Sequence, residues 1–329
     1  MPRLVTLLAS VALALAGAGL APSPAAAPAM PVAASAGAAG PATVIPWRPF
    51  AATSPFNVPI AGSPALDPNS AAMVARVARD GMGYANLVEF GIPIYEASAS
   101  TPRVTVRCTI TSWGPCPFAA APRAMPASAR PSSGSDGAMV VVDRAAGTID
   151  EYWQAAPATG GWTTSWGAIN PLTGSGWGGG STGAGASRLA GVVRVAEIHA
   201  GTIPHALVVQ SDNVCAGTVR APALKTDGDS TRPDCIPEGA RLQLDPAIDV
   251  ARIPGITPGE ITVARALQVY GAYLVDRAGT SLAVSFEVAP DATAAGPGSA
   301  YAQAGFGWDY DGMPHIPWGA LRVLQAWNG

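Results

Sequence analysis

Charged residues are scarce in this sequence. Lysine and arginine together number 19 and aspartate and glutamate 22 among 329 residues, so the formal net charge is only −3. A chain with so little net charge exerts no general electrostatic attraction on nucleic acids or on anionic lipids. We therefore expect no nucleic-acid partner.

Residues that typically bind metals are equally sparse. The chain has three histidines and four cysteines, and it contains neither a Cys-x-x-Cys pair nor a His-Glu-x-x-His motif. Zinc sites usually need such closely spaced ligands. Calcium binding by Asp227, Asp229 and Asp234 is conceivable, but their spacing is not that of an EF-hand loop. We accordingly predict no metal and no cofactor.

The four cysteines are Cys108, Cys116, Cys215 and Cys235. In an oxidising compartment, an even number of cysteines indicates disulfide bonds. Four cysteines allow three pairings, and the most economical one joins sequence neighbours. We predict the disulfides Cys108–Cys116 and Cys215–Cys235.

Long apolar runs are confined to the start of the chain. Residues 1–29 have the pattern of a secretory signal peptide, with Arg3 at the start, an apolar run over residues 4–20, and small residues suited to cleavage at 25–29. A transmembrane anchor is the alternative. The run is short for that purpose, it is interrupted by two glycines, and no basic stop-transfer cluster follows it. The sequence therefore predicts a secreted, extracellular protein with no membrane span.

Glycine and proline are abundant, at 38 and 32 residues. Many turns combined with few charged helices favour a mainly β domain. Residues 30–43 carry no charge and are rich in alanine and proline, which is typical of a flexible linker. Residues 44–329 are long enough for a single β-rich domain, which we expect to be a monomer.

Hydrophobic periodicity and turn residues predict the elements of this domain. Two hairpins with similar turns are expected at residues 139–154 and 273–287. Helices are expected after Asp67, from Arg194 to Gly201, from Thr257 to about Tyr270, and at residues 316–327. Because strands outnumber helices, we predict a β-sandwich or jelly-roll-like single domain with two or three peripheral helices.

Candidate chemistry is concentrated between Arg194 and Arg241, which includes two of the three histidines. If residues 203–210 form a strand, His205 and Leu207 share one face. His205 is then either a hydrogen-bonded structural histidine or a general acid or base. Asp227 lies in a Thr-Asp-Gly turn, where its carboxylate could fix the turn or act in catalysis.

Paired carboxylates are the residues that glycoside hydrolysis needs, one as an acid and one as a base or nucleophile. Glu151 shares a strand face with Trp153, whose indole could raise the pKa of the carboxyl and stack on a sugar. Asp227 and Asp276 are the candidates for the second carboxylate. Together with His205, these three residues are the predicted catalytic set.

Other residues are suited to holding a substrate. Residues 157–187 are rich in glycine and carry several tryptophans, which indicates either a binding loop or indoles that cap the core. Basic residues could orient the substrate or neutralise a uronate, and a tyrosine could serve as the base of a lyase. The predicted substrate-binding residues are Arg241, Trp153, Trp162, Lys225 and Tyr273.

Several short motifs resemble a block found in a largely uncharacterised group of secreted bacterial β-rich proteins. They cover most of the exported domain: Glu151-Tyr-Trp153, Gly161-Trp162, Gly201-x-Ile203-x-His205-Ala-Leu207, Thr226-Asp-Gly228, Pro237-x-Gly-Ala-Arg241, and Tyr270-Gly271 with Asp276. The resemblance implies an exported β-rich domain. At the level of fold alone, that group is similar to β-sandwich carbohydrate-active proteins.

Three functions follow from these patterns. The leading prediction is a secreted glycoside hydrolase that cleaves a polysaccharide by paired-carboxylate chemistry. The first alternative is a non-catalytic module that binds a glycan or associates with a cell wall. The second is a polysaccharide lyase with His205, Tyr152 or Tyr273 as the base and an arginine or lysine as the neutraliser. In each case the partner is a polysaccharide or another glycan.

Overall fold

The computed structural model describes residues 47–325. The predicted signal peptide and linker, residues 1–29 and 30–43, lie outside these residues. Strands make up 29% of the chain and helices 14%, which confirms the prediction of a mainly β fold. No helix within residues 47–325 is long and apolar enough to cross a membrane.

The described residues form sixteen strands and four α-helices. The strands are β1 (Tyr84–Asn86), β2 (Ile94–Ala97), β3 (Arg103–Cys108), β4 (Arg123–Ala124), β5 (Met139–Asp143), β6 (Thr148–Trp153), β7 (Ala156–Ala158), β8 (Gly161–Thr164), β9 (Trp166–Pro171), β10 (Leu207–Ser211), β11 (Val214–Val219), β12 (Ile236–Glu238), β13 (Arg241–Leu244), β14 (Ala272–Arg277), β15 (Ala283–Ser285) and β16 (Leu321–Val323). The helices are α1 (Ser70–Val77), α2 (Val195–Ala200), α3 (Pro258–Val269) and α4 (Ser299–Ala304).

The largest sheet has six strands in the order β1-β15-β10-β14-β13-β16. Strand β10 is parallel to β14 and antiparallel to β15, so it lies between them. The predicted hairpin over residues 273–287 is therefore wrong, because its two strands flank β10 and do not pair. The apolar run Leu207–Val209 of β10 is fully buried in this central position. The sequence of a turn could not show that a strand 60 or more residues away in the chain lies between the two strands that the turn connects.

Two four-stranded sheets have the orders β2-β5-β6-β9 and β4-β3-β8-β7, and β11 and β12 form a short pair. Strands β5 and β6 pair antiparallel with Met139 opposite Tyr152, which confirms the first predicted hairpin. Parallel pairs also occur, including β2 with β5 and β3 with β8. A jelly roll is built from antiparallel strands, whereas these sheets also contain parallel pairs. The predicted jelly-roll sandwich is therefore not confirmed.

The core lies in layers between these sheets. All five residues of β5 are buried, and they alternate between two hydrophobic clusters. Val140 and Val142 pack with Val208 and Val275 of the six-stranded sheet, whereas Val141 packs toward β3 and β8. This period of two is what a strand buried on both faces requires. A third cluster fills the space between the six-stranded sheet and helices α1 and α3.

Local sequence signals account for the helix boundaries. Helix α2 ends at Gly201, which adopts the left-handed conformation with φ of 67°. Helix α3 begins with the predicted capping box, in which Thr257 and Glu260 satisfy each other's backbone N–H groups. The predicted helix over residues 316–327 is not observed in its described part. That part is a 3₁₀ turn at Trp318–Ala320 followed by β16, which pairs with β13.

Both predicted disulfides are confirmed. Cys108 bonds to Cys116 and Cys215 to Cys235, with Cα–Cα distances of 5.5 and 5.0 Å. Disulfides are typical of proteins outside the reducing cytoplasm. The second disulfide closes the segment that runs from β11 to β12 and carries Asp227. This segment borders the candidate functional site.

Candidate functional site

A cleft with a volume of about 1050 Å³ lies beside the six-stranded sheet. Side chains from β1, β10, β14 and β15 form one wall, together with the loop Gly180–Arg188. Three indoles also line the cleft. Polar and charged groups line it as well, among them Asn86, Ser135, Asp136, Ser181, Thr182, Arg188, Gln210, Lys225, Asp227, Asp276, Arg277 and Tyr310.

Three carboxylates form a group of which two members, Asp227 and Asp276, line this cleft. We name the group the carboxylate cluster, and its third member is Glu238. Each contributes an oxygen, and the three oxygens lie within 4.8 Å of one another. Asp276 is near the end of β14, Glu238 ends β12, and Asp227 lies on the segment closed by the Cys215–Cys235 disulfide. Three separate parts of the sequence therefore form one acidic centre.

Backbone N–H groups hold the cluster in place. Gly183 donates to Asp276, Arg277 donates to Asp227 at 3.0 Å, and the N–H of Asp227 donates to Glu238 at 3.2 Å. Gly183 packs so closely that an added Cβ would lie 2.6 Å from the Asp227 carboxylate and 2.7 Å from Oε1 of Glu238. Glycine is therefore required at this position, because any side chain would displace the carboxylates.

Two members of the cluster hold protons unusually tightly. Burial raises the pKa of Asp276 to about 7, with a contribution from the negative charge of Asp227 and opposition from Arg188. Burial also raises the pKa of Glu238 to about 8, and the charges of Asp227 and Asp276 add to this effect. Near neutral pH, each of these two groups is therefore protonated in a substantial fraction of molecules. Asp227 is the solvent-exposed member.

Three basic residues line the same cleft, and they are Arg188, Lys225 and Arg277. Lys225, the single lysine of the chain, donates from Nζ to the carbonyl of Thr182 at 2.8 Å. Arg188 donates to the Ser181 hydroxyl at 3.1 Å and to the Ser181 carbonyl at 2.7 Å. Sequence reasoning identified Lys225 but missed Arg188. The sequence feature that could have identified Arg188 is its position, as a lone arginine, at the end of a glycine-rich stretch without charged residues.

The indole wall consists of Trp113, Trp153 and Trp166. The rings of Trp113 and Trp153 stack with centroids 6.2 Å apart and an interplanar angle of 12°, and Trp166 meets Trp113 edge-on at 5.8 Å. The indole N–H of Trp153 donates to Asp136 at 3.2 Å. Of these residues, only Trp153 was predicted as a substrate contact. Trp166 belongs to the tryptophan-containing segment 157–187 that was predicted either to bind or to cap the core. Trp113 and Asp136 were missed because they lie in other loops.

Glu151 lies behind the cleft and does not line it. Its side chain is fully buried, and it accepts hydrogen bonds from Asn170 at 2.8 Å, from the N–H and hydroxyl of Ser181 at 3.2 and 3.1 Å, and from the hydroxyl of Ser187. Burial raises the pKa of this carboxyl. The contacts show that Glu151 anchors the loop Gly180–Arg188, which in turn holds Asp276 through Gly183.

We expect Glu151→Ala to reduce the free energy of unfolding by about 3 kcal/mol, because buried donors of Ser181, Ser187 and Asn170 lose their acceptor. Glu151→Gln keeps the shape and one acceptor oxygen, so its loss should be smaller. Urea unfolding of both variants measures this order. If Glu151→Gln instead remains fully stable and loses activity as completely as a variant of the carboxylate cluster, Glu151 has the catalytic role that the sequence predicted.

His205 and Arg241 are also separated from the cleft. His205 is buried just before β10, and its ring nitrogens lie 2.8 Å from Glu197 and 2.9 Å from the carbonyl of Ala206. Arg241 is buried as well and donates to the carbonyls of Tyr270 and Val58, each at 2.8 Å. The structure therefore does not bring these two residues together with Asp227, as the sequence analysis expected.

The two remaining predicted contacts lie in the core. The Tyr273 ring packs edge-on against Phe56 at 5.2 Å and Trp177 at 5.6 Å, and Arg241 lies over it at 5.0 Å. Trp162 is on β8 and is 9% exposed, within the cluster between the two four-stranded sheets. Asp227, Asp276, Lys225 and Trp153 are therefore the predicted site residues that share the cleft.

The carboxylate cluster is also the set of residues that could hold a metal ion. Oxygen ligands from aspartate and glutamate suit hard divalent cations. Oε1 of Glu238 is buried and has no hydrogen-bond partner within residues 47–325, so it is the ligand atom least committed to the fold. By contrast, Asp229 and Asp234 form ion pairs with Arg277 and Arg232 at 3.2 and 2.8 Å. These ion pairs do not support the calcium site of Asp227, Asp229 and Asp234 that was considered from the sequence.

Comparison with known proteins gives no further assignment. The resemblance to secreted bacterial β-rich proteins therefore stays a prediction, and the functional argument rests on the geometry of the cleft. No protein-family model, no curated protein and no solved structure matches this chain.

Proposed function

We propose that the protein is a secreted glycoside hydrolase that cleaves a polysaccharide, with Asp276 and Asp227 as its catalytic carboxylates. One observation carries the proposal. Two neighbouring carboxyl groups share a cleft but differ in environment, since Asp276 is held in the protonated form up to about pH 7 while Asp227 is open to water. Glycosidases need such a difference, with one carboxyl as the acid and the other as the base or nucleophile.

In the proposed mechanism, Asp276 donates its proton to the glycosidic oxygen as the bond between that oxygen and the anomeric carbon breaks. The Asp227 carboxylate attacks the anomeric carbon and forms a glycosyl ester. Water then adds to the anomeric carbon, the ester bond breaks, and Asp276 takes up the proton of the water. The oxygens of these two residues lie within 4.8 Å. This upper limit is nearer the ~5–5.5 Å between the carboxyl groups of the retaining mechanism than the ~6.5–9.5 Å of the inverting one.

The first test is to incubate the secreted domain with a panel of plant, microbial and cell-wall glycans and to determine the masses of the products. A hydrolase adds one water per cleavage and, with this mechanism, retains the anomeric configuration. A product with a new double bond and no added water indicates a lyase. Binding without any product indicates a non-catalytic module.

The pH dependence of hydrolysis follows from the raised pKa of Asp276. Catalysis needs this carboxyl in its protonated form, so we expect kcat/KM in the alkaline range to fall about tenfold for each unit of pH above about 7. A pH profile measured on an oligosaccharide substrate checks this. Activity that stays constant from pH 7 to pH 9 would exclude Asp276 as the acid. The pH at which activity falls on the acidic side of the profile does not test this role of Asp276.

A second candidate function is cation-dependent glycan binding without cleavage. It is favoured by the buried Oε1 of Glu238, which accepts no hydrogen bond from residues 47–325 and lies beside two other carboxylates. Calorimetric titration with Ca²⁺, followed by glycan binding with and without a chelator, distinguishes it from the hydrolase. The lyase has less support, because its predicted bases His205, Tyr152 and Tyr273 are all buried and do not line the cleft.

A further inference from the structure

We propose that a row of aromatic side chains along the cleft binds a linear, neutral glycan across several sugars at once. We name it the aromatic row, and it comprises Trp166, Trp113, Trp153, Phe90, Tyr310 and Trp308. The proposal rests on the proposed function in one respect, namely that the bound chain passes the carboxylate cluster. It adds the class of substrate and the surface that recognises it.

The first half of the row is the indole wall. Trp113 is 59% exposed although it is a large apolar side chain, and its ring contacts both Trp153 and Trp166. The disulfide between Cys108 and Cys116 closes the short loop that carries Trp113. The indole is therefore held at the surface by a constrained loop. A rigid exposed aromatic group of this kind is typical of a binding surface.

The second half consists of Phe90, Tyr310 and Trp308. The centroid of Tyr310 lies 6.5 Å from that of Phe90 and 5.7 Å from that of Trp308. Phe90 and Tyr310 both line the cleft, and Trp308 is 55% exposed beside them. The carboxylate of Asp309 accepts the backbone N–H groups of residues 87–89, at distances from 2.6 to 3.0 Å. These bonds fix the segment carrying Tyr310 and Trp308 to the segment carrying Phe90.

A short connection joins the two halves. The N–H of Gly134 donates to the carbonyl of Glu89 at 2.8 Å, next to Phe90, and Asp136 accepts the indole N–H of Trp153. The intervening Ser135 lines the cleft, as does Asp136. The segment Gly134–Asp136 therefore links the two groups of rings, and rings of both groups line the same cleft.

The charges around the cleft indicate a neutral ligand. Three acidic and three basic side chains line it, and they are Asp136, Asp227, Asp276, Arg188, Lys225 and Arg277. An excess of one sign would focus a field that attracts the opposite charge, and no such excess exists here. The apolar faces of neutral pyranose rings stack on indoles and phenol rings, while their hydroxyl groups can form hydrogen bonds with the charged side chains that line the cleft. A linear glycan presents such faces at regular intervals.

The test measures binding in the absence of cleavage. The Asp276→Asn variant of the full secreted chain is titrated calorimetrically with cello-, xylo-, manno- and chito-oligosaccharides, from disaccharide to hexasaccharide. We expect affinity to increase with length in at least one series. Adding Trp113→Ala or Trp308→Ala should weaken hexasaccharide binding about tenfold, the loss of ~1.4 kcal/mol, and leave disaccharide affinity within about twofold. Leu66→Ala, another exposed apolar residue that does not line the cleft, is the matched control.

Circular dichroism of each variant shows whether the fold is retained. Affinity that is independent of length, hexasaccharide binding that is unchanged in both tryptophan variants, or no binding to any of the four series overturns the aromatic row. The failure of the hydrolase proposal is distinguishable from these results. In that case the wild-type protein releases no products, while the length dependence and the effects of the tryptophan variants remain.

Discussion

Asp276→Asn should lower kcat/KM for polysaccharide hydrolysis by about a thousandfold, the range that a positioned general acid contributes. Asparagine keeps the shape of the side chain and can still accept the N–H of Gly183, but it has no proton of suitable acidity to give to the leaving oxygen. Asp227→Asn should cause a loss of similar size, because an amide oxygen is a poor nucleophile. Initial rates measured by reducing-end assay give both values.

Asp229→Asn is the matched control for these variants. Asp229 lies two residues from Asp227 on the same disulfide-closed segment, and its ion pair with Arg277 is largely exposed, with side chains 63% and 51% accessible. Exposed pairs contribute little to stability, so this variant should retain nearly full activity. Equal losses in all three variants would mean that the segment has been disordered. Full activity of Asp276→Asn, with its fold intact, would disprove the proposed role.

Several features of this site could be predicted from sequence because local rules govern them. The capping box at Thr257, the hairpin at residues 139–154 and the pairing of neighbouring cysteines depend on residues close in the chain. Asp227 and Asp276 were selected by a similar argument, as acidic residues at turns and strand ends. Such positions often carry function, since loops there are held by a rigid scaffold.

Other features depend on contacts between distant segments. The alternation of side chains along a strand predicted that Glu151 and Trp153 share one face of β6. It could not show that the loop Gly180–Arg188 covers Glu151. That loop contacts Glu151 through residues about 30 or more positions away in the chain, among them Ser181 and Ser187. The same limit applies to Glu238, which was one of many carboxylates in the sequence. It became a candidate only when the structure placed it beside Asp227 and Asp276.

Glu238→Gln should have a large, pH-dependent effect on stability. Its pKa is about 8 in the folded protein and 4.5 as the ordinary value, so the folded state binds this proton more tightly than the unfolded chain does. Stability contributed by this group therefore falls as pH rises from about 4.5 to about 8, and the loss is complete above that range. Glutamine cannot ionise, so the variant avoids the loss.

We expect Glu238→Gln to match the wild-type free energy of unfolding near pH 4.5 and to exceed it by as much as ~4 kcal/mol at pH 8, because each unit between the two pKa values corresponds to about 1.4 kcal/mol. Urea unfolding at the two pH values measures this difference. The opposite result has a specific meaning. A cation at the carboxylate cluster would favour the ionised form of Glu238, so Ca²⁺ would stabilise the wild-type protein at pH 8 and glutamine would remove that gain. Suppose that Glu238→Gln is less stable than the wild type at pH 8 only when Ca²⁺ is present. Cation-dependent glycan binding would then replace the acid–base assignment of this cleft.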